Sequence, residues 1–183
     1  MKLYVVRHGE TVFNAQNRYA GSTDVPLNDM GKEQALRLAK QLESYKFDFI
    51  ITSPLIRAQE TAEIINRNLN LPIIIMDAFV ERNMGVYEGL TREEAQQNFP
   101  ETWQRLGKLG IDDAPDAGET IRQCDQRVTN GLLELMQIKN DQTPLLVCHG
   151  FVSRLINRYF HELDYYAMHS FSLGNCEIVE YDT

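Results

Sequence analysis

The 183-residue chain lacks a positive net charge, and it lacks any long run of apolar residues. Its 18 basic and 26 acidic residues give a formal net charge of −8 at pH 7. Nucleic acids and anionic membranes bind basic surfaces, so this charge argues against both as partners. No stretch has the apolar length that a bilayer-spanning helix requires.

Cysteines are few, and they are not spaced as metal ligands or as a redox pair. Cys124, Cys148 and Cys176 are odd in number and form no CxxC motif. Free thiols in a reducing compartment are therefore the favoured interpretation. The chain begins with a short apolar segment and shows no charged leader followed by a longer apolar stretch. We expect no signal peptide, and the predicted location is the cytoplasm.

Short apolar segments alternate with amphipathic ones along most of the chain. This pattern predicts strands at residues 2–6, 49–51, 73–76, 145–148 and 177–181, and helices at 29–42, 55–68, 119–138 and 151–160. Strands that alternate with helices are typical of a mostly parallel sheet covered on both faces. The predicted fold is an α/β/α sandwich of three layers with such a sheet at its centre.

The segment from 80 to 118 differs from the rest, because glycines and prolines interrupt it repeatedly. We expect short helices and loops that form a lid-like insertion over the edge of the sheet. No linker isolates this segment, and the chain length suits one folding unit. The prediction is therefore a single domain over residues 1–183.

Several predicted strands are followed by side chains that suit phosphate chemistry. Arg7 and His8 end the first strand, Arg57 follows the second, Glu81 follows the third, and His149 ends the fourth. The carboxyl ends of parallel strands meet at one edge of a sheet, and ligands bind there. We therefore expect these groups to converge. A glycine after each histidine, as in Arg7-His8-Gly9, allows close approach of an anionic substrate.

These residues fall into ordered blocks that resemble the histidine phosphatase superfamily, also called the phosphoglycerate mutase-like family. The resemblance covers nearly the whole chain. The matching blocks are Arg7-His8-Gly9-Glu10-Thr11 with Asn14, Gly21, Asp24-Val25-Pro26-Leu27, Gly31, Ser53 to Ala62, Glu81, Gly85, Glu88-Gly89, Gly118-Glu119-Thr120 and His149-Gly150. One tripeptide would be weak support, whereas several blocks in the right order are specific.

The resemblance implies a metal-independent phosphatase of the histidine acid type, with no cofactor. It implies that His8 is the nucleophile and becomes a phosphohistidine, and that Glu81 is the general acid. The implied phosphate-binding residues are Arg7, Asn14, Gly21, Arg57, His149 and Gly150. Neighbouring arginines lower the pKa of an imidazole, which keeps His8 neutral and nucleophilic. They also neutralise the oxygens of the transferring phosphoryl group.

Hydrolysis and phosphoryl return to a second hydroxyl are both open to this fold. The mutases of the family hold the substrate carboxylate with an arginine pair in a long insertion. Here the segment between Glu81 and Gly118 is short, and its basic residues are Arg82, Arg92, Arg105 and Lys108. Met84 replaces the mutase tyrosine, and Phe151 replaces an asparagine. These departures favour a phosphatase, with a cofactor-dependent phosphoglycerate mutase or a phosphate-binding pseudoenzyme as alternatives.

The expected partner is a small phosphomonoester, and we expect a monomer or a homodimer. An apolar wall is predicted beside the phosphate pocket, formed by Phe13, Met84, Tyr87, Phe99, Trp103, Leu106 and Phe151. These aromatic and apolar side chains predict a preference for a leaving group that is apolar or contains a ring.

Overall fold

A five-stranded sheet forms the centre of the protein. The computed structural model describes residues 2–106, 110–138 and 142–182. The strands are β1 (Lys2–Arg7), β2 (Phe49–Thr52), β3 (Ile73–Ile75), β4 (Pro144–Cys148) and β5 (Ile178–Asp182). The helices are α1 (Val12–Ala15), α2 (Asp29–Leu42), α3 (Ile56–Leu69), α4 (Arg92–Asn98), α5 (Pro100–Leu106), α6 (Ile121–Ile138) and α7 (Gly150–Phe160).

The strand order is β3-β2-β4-β1-β5, and only the pairing of β1 with β5 is antiparallel among the described strands. Val147 of β4 lies between Val6 of β1 and Thr52 of β2. The carboxyl ends of these three strands are therefore neighbours. This register places Arg7, His149 and the start of α3 at one edge of the sheet, as predicted.

The sheet is covered on both faces because its side chains alternate between two apolar clusters. Val5, Ile51 and Leu146 pack with residues of α6 and α7. Val6 and Ile50, one position away, pack with residues of α2 and α3. Period-two alternation in fully buried strands produces these two layers. The predicted three-layer α/β/α architecture with a mostly parallel sheet is confirmed.

The N-terminal loop contains a helical turn that the sequence pattern did not predict. Asn14 lies in α1, in a stretch for which the apolar pattern predicts neither a helix nor a strand. The Thr11 hydroxyl accepts a hydrogen bond from the Asn14 backbone, and the Asn14 side chain accepts one from the Thr11 backbone. This reciprocal capping supports a helix too short to show apolar periodicity.

Helices α4 and α5 lie in the segment predicted to be a lid-like insertion. A capping box between Thr91 and Glu94 starts α4, and Pro100 starts α5. Lys108 lies outside the described residues. The lid function of this segment and the single-domain assignment stay predictions. Across the described ranges, no helix has the length and apolar character needed to cross a membrane.

The three cysteines are free, as expected. Cys124 and Cys148 are buried, and Cys176 is half-buried. Burial raises the pKa of Cys176 to about 12 and raises the pKa values of Cys124 and Cys148 as well. All three side chains therefore remain protonated thiols at neutral pH.

Two glycines allow the loop after β1 to touch the first turn of α2. A Cβ at Gly9 would lie 2.5 Å from the Gly31 carbonyl oxygen, and a Cβ at Gly31 would overlap the Glu10 carbonyl oxygen. At Gly9 the close contact is therefore with the backbone of Gly31. The predicted close approach of an anionic substrate at Gly9 stays a prediction. The backbone that leads from His8 is held by this contact.

Gly31→Ala should lower the free energy of unfolding by about 1–3 kcal/mol, because the new methyl group meets immobile backbone. This sign is diagnostic, since alanine normally stabilises a helix relative to glycine by about 1 kcal/mol. Urea denaturation measures the effect. Leu36→Ala, an exposed position of α2, is the control and should change stability by less than about 0.5 kcal/mol. A stabilised Gly31→Ala variant would contradict the packing argument.

Candidate active site

Two histidine rings face each other at the carboxyl edge of the sheet. Their centroids, in His8 and His149, are 5.1 Å apart. The side chains of Arg7 and Arg57 are near enough to both rings to shift their pKa values. The convergence expected from the parallel strands is therefore observed.

The ring of His8 uses one nitrogen to hold its orientation and leaves the other without a hydrogen-bond partner among the described residues. Nδ1 lies 2.7 Å from the Gly9 carbonyl oxygen. A carbonyl oxygen only accepts, so Nδ1 carries the proton and Nε2 carries the lone pair in the neutral ring. Within the described part of the chain, Nε2 has no hydrogen-bond partner. The nitrogen that is free to attack is therefore Nε2.

The protonation state of His8 follows from its surroundings. Burial lowers the pKa of the imidazole well below its ordinary value, and Arg57 and Arg7 lower it further. The bond to Gly9 opposes this change but is the weakest of these contributions. The ring is therefore neutral at physiological pH and nucleophilic.

His149 is also neutral, and both of its nitrogens have protein partners. Arg57 Nε donates to Nδ1 at 3.2 Å, so Nε2 carries the proton and donates to Ser53 Oγ at 2.7 Å. Burial, followed by Arg57, His8 and Arg7, lowers the pKa of this ring well below its ordinary value. Its predicted contact with the phosphoryl group stays a prediction.

Arg57 is fully buried and fixes the loop that faces the pocket. Its Nη1 donates to the Thr23 carbonyl oxygen at 2.8 Å, and its Nη2 donates to the Gly21 carbonyl oxygen at 2.7 Å. With the bond to His149, three of its five N–H groups are used. Its predicted contact with phosphate stays a prediction.

Arg7 has an unsatisfied donor. Its Nη1 donates to the Leu173 carbonyl oxygen at 3.0 Å, but the buried Nε has no partner among the described residues. A buried donor without a partner costs about 1–3 kcal/mol. Gly150, predicted to bind phosphate, packs against this guanidinium, since a Cβ there would lie 3.5 Å from Arg7 Cζ. An anion at this point would satisfy the free N–H.

Asn14 is oriented by the capping box of α1. Its Oδ1 accepts from the Thr11 backbone at 3.1 Å and from the Thr11 hydroxyl at 3.0 Å. Nδ2 has no partner in the described part of the protein, so the amide group can donate to a ligand. This orientation supports the predicted role of Asn14, which stays a prediction.

Glu81 lies at the N-terminus of α7. Its Oε2 accepts from the Phe151 backbone at 3.1 Å, and its Oε1 accepts from the Arg82 backbone at 2.9 Å. The carboxylate is close enough to Arg7 and Arg57 to raise the pKa of each guanidinium against the larger effect of burial. The predicted general acid therefore belongs to the same cluster as the predicted nucleophile.

Glu88 is a supporting residue that the sequence-based site omitted, although it lies in a matching block. Its carboxylate accepts from the Ser22 backbone at 2.7 Å, from the Met84 backbone at 3.0 Å, and from the Thr23 hydroxyl. Burial raises the pKa of Glu88, but the bonds from Thr23, Ser22 and Met84 outweigh it and hold the pKa below its ordinary value. Gly21, with φ of 50°, allows this carboxylate to approach the loop.

In the described ranges, no group of three or more histidine, cysteine, aspartate or glutamate side chains is arranged to hold a metal ion. Metal-independent chemistry stays a prediction.

A model of the histidine phosphatase superfamily (branch 1) matches residues 3–183. The chain belongs to this superfamily. An uncharacterized phosphatase, PhoE, of Bacillus subtilis is 39% identical over 80% of this chain and 70% of its own length. A probable phosphoglycerate mutase, GpmB, of Cronobacter sakazakii is 32% identical over 100% of this chain and 85% of its own length.

Solved structures of the superfamily share the fold. The α-ribazole phosphatase of Shigella flexneri matches with a TM-score of 0.93 at 28% identity, covering 100% of this chain and 90% of that one. YhfR of Bacillus stearothermophilus matches with a TM-score of 0.88 at 30% identity, covering 98% of this chain and 89% of that one. The predicted family and fold are confirmed, and relatives of both the phosphatase and the mutase type match.

The neutral histidines should make stability depend on pH. Unfolded histidines bind protons at about pH 6.5, whereas His8 and His149 resist protonation in the folded state. The unfolded state then binds more protons, so the free energy of unfolding should fall by about 1 kcal/mol per histidine for each pH unit below about 6.5. Urea titrations at several pH values measure this slope. His8→Asn should remove the contribution of His8, about 1 kcal/mol per pH unit, and an unchanged slope would contradict the assignment.

Glu88→Gln should lower the free energy of unfolding by about 1–3 kcal/mol at neutral pH, because a neutral amide cannot accept all of the bonds that the carboxylate accepts. The lowered pKa of Glu88 stabilises the fold above its unfolded value of about 4.3, and this contribution is lost as pH falls through the folded pKa. The difference from wild type should therefore shrink in acid. Glu33→Gln, at an exposed ion pair on α2, is the matched control; an equal loss there would contradict the account.

Proposed function

We propose that the protein hydrolyses small phosphomonoesters through a phosphohistidine on Nε2 of His8. The observation that carries this proposal is the bond between His8 Nδ1 and the Gly9 carbonyl oxygen at 2.7 Å. It leaves the lone pair of Nε2 unused, and burial together with two arginines keeps the ring unprotonated. Phosphatase relatives of the chain support hydrolysis as the overall reaction.

In the first step, Nε2 attacks phosphorus and the bond from phosphorus to the ester oxygen breaks. Glu81, entering as the carboxylic acid, gives its proton to the leaving oxygen, so an alcohol departs. The imidazole gains positive charge, and the Gly9 carbonyl oxygen stabilises it through Nδ1–H. Arg7 and Asn14 donate to the phosphoryl oxygens, which is the main catalytic contribution expected in phosphoryl transfer.

In the second step, water attacks the phosphohistidine. Glu81, now a carboxylate, accepts a proton from this water, and the bond from phosphorus to Nε2 breaks. Inorganic phosphate leaves, and both His8 and Glu81 return to their starting states. The cycle consumes one water, and it needs no metal ion or cofactor. The protein is accordingly proposed to act without either, in the cytoplasm, as a monomer or a homodimer.

A phosphoglycerate mutase is the second candidate, because GpmB relatives match the whole chain. The arginine pair of the mutases has no counterpart in the described insertion, whose arginines are dispersed. Arg105 pairs with Asp116, Arg82 lies over the Phe151 ring, and Arg92 lies over Trp103. We therefore favour transfer of the phosphoryl group to water.

Glu81→Gln tests the proposed acid. Alkyl phosphates need a proton on the leaving oxygen, so their kcat/KM should fall by about 10²–10⁴-fold. Para-nitrophenyl phosphate has a good leaving group and should lose much less. Equal losses for both substrates would argue against proton donation by Glu81, and full activity of His8→Ala would exclude the proposed nucleophile.

The two candidate reactions are separated by one product assay. With 3-phosphoglycerate and a bisphosphoglycerate primer, the phosphatase should release inorganic phosphate and form little 2-phosphoglycerate. Efficient isomerisation would replace the proposed function with mutase activity. Activity retained after dialysis against a chelator is expected, and activity restored only by added metal would contradict the metal-independent cycle.

A further inference from the structure

A cavity of about 330 Å³ lies next to the catalytic cluster and contains none of its residues. Its walls include Tyr19, Arg82, Tyr87, Arg92, Trp103 and His169. Arg82 directly follows Glu81, and its guanidinium lies 5.1 Å from the centre of the Phe151 ring, next to Gly150. One residue step, about 3.8 Å between Cα atoms, therefore separates the proposed acid from the cavity wall.

The cavity has a flat aromatic side. The rings of Tyr19 and Tyr87 are stacked with centroids 5.9 Å apart, and Trp103 lies 6.1 Å from Tyr87. Such surfaces bind planar groups by stacking. Some of the residues predicted to form an apolar wall beside the phosphate pocket lie in this cavity, and their contact with a leaving group stays a prediction. Met84, Tyr87, Trp103 and Leu106 line the cavity, whereas Phe99 packs behind Tyr87 and Phe151 packs under Arg82.

The cavity also has a cationic side. Arg82 and Arg92 line it, no acidic residue does so among the described residues, and neither arginine makes an ion pair there. Arg92 is exposed and lies over the Trp103 ring at 5.1 Å. Arg82 Nε donates to the Glu119 carbonyl oxygen, so the other N–H groups of Arg82 and the guanidinium of Arg92 are what this cavity offers to an anion, in a protein with a net charge of −8.

The wall of the cavity also includes Tyr87, whose hydroxyl group is buried. Tyr87 is 2% exposed, and its hydroxyl has no hydrogen-bond partner in the described structure. Burial raises the pKa of Tyr87, so the hydroxyl keeps its proton and can donate. Buried polar groups in native proteins are normally satisfied, and an orphan in a cavity wall indicates a missing partner.

We propose that this cavity receives the leaving group of the substrate, and that this group is an aromatic alcohol carrying a carboxylate or a second anionic group. The ring packs against this aromatic side, the anion binds Arg92 and Arg82, and an acceptor atom meets the Tyr87 hydroxyl. This inference rests on the proposed function and adds the class of leaving group to it. The sequence pattern predicted a ring but not the anion.

The first test uses binding alone. Trp103 is the single tryptophan of the chain, so its fluorescence reports on the cavity without catalysis. Para-hydroxybenzoate should quench it saturably in the His8→Ala protein, and phenol should bind more weakly. Arg92→Met should weaken this binding about tenfold, the loss expected for one hydrogen bond to a charged group. Arg37→Met, an exposed arginine on α2, is the control. No saturable quench, or equal effects of both substitutions, would overturn the proposal.

The second test compares the kcat/KM values of the wild-type enzyme for two substrates. The kcat/KM for para-carboxyphenyl phosphate should exceed that for phenyl phosphate about tenfold, and Arg92→Met should bring the ratio near one through KM. Tyr87→Phe should lower kcat/KM for the carboxylated ester several-fold, unlike Tyr166→Phe at an exposed tyrosine.

A ratio of the two kcat/KM values near one in the wild type would overturn the leaving-group assignment. Binding of para-hydroxybenzoate without competition with the substrate would overturn it as well. If no phosphomonoester is hydrolysed, the proposed function fails, while the quench still decides whether the cavity binds an anionic ring.

Discussion

The buried guanidinium of Arg57 holds together the three parts of the chain that form the site. From α3 it donates to Gly21 and Thr23 in the loop after α1 and to His149 at the end of β4. A buried cation without such partners would be costly, so these parts are stable only in one arrangement. The same charge lowers the pKa of His8. One interaction therefore supports both the fold around the site and the neutral state of the proposed nucleophile.

In this site, the positive charge and the unprotonated ring nitrogen belong to different residues. Both histidine rings are buried and neutral, and the positive charge resides on Arg7 and Arg57, which keep it at any physiological pH. A phosphoryl group would meet fixed cations and a ring with a free lone pair at the same time. The overall charge of −8 confines this attraction to the pocket. Arg82 and Arg92 form a second cationic surface in the neighbouring cavity, where we propose that the leaving group binds.

Much of the site could be predicted because it follows from strand topology. His8 and His149 are distant in the chain, yet parallel strands carry residues at their carboxyl ends to one edge. Contacts between loops and helices that are distant in the sequence could not be predicted. The need for Gly9 comes from the backbone of Gly31, and the role of Glu88 comes from donors in two other loops. Neither leaves a periodic signal in the sequence, since each depends on where a remote segment packs.

The most direct test of the account is the site of phosphorylation during turnover. The enzyme would be mixed rapidly with an aryl phosphate, quenched in denaturing alkali, and mapped by mass spectrometry and phosphorus NMR. The account predicts a phosphoenzyme that forms before steady state and carries its phosphoryl group on Nε2 of His8. Phosphate on Nδ1, phosphate on another residue, or hydrolysis with no phosphoenzyme at all would contradict it.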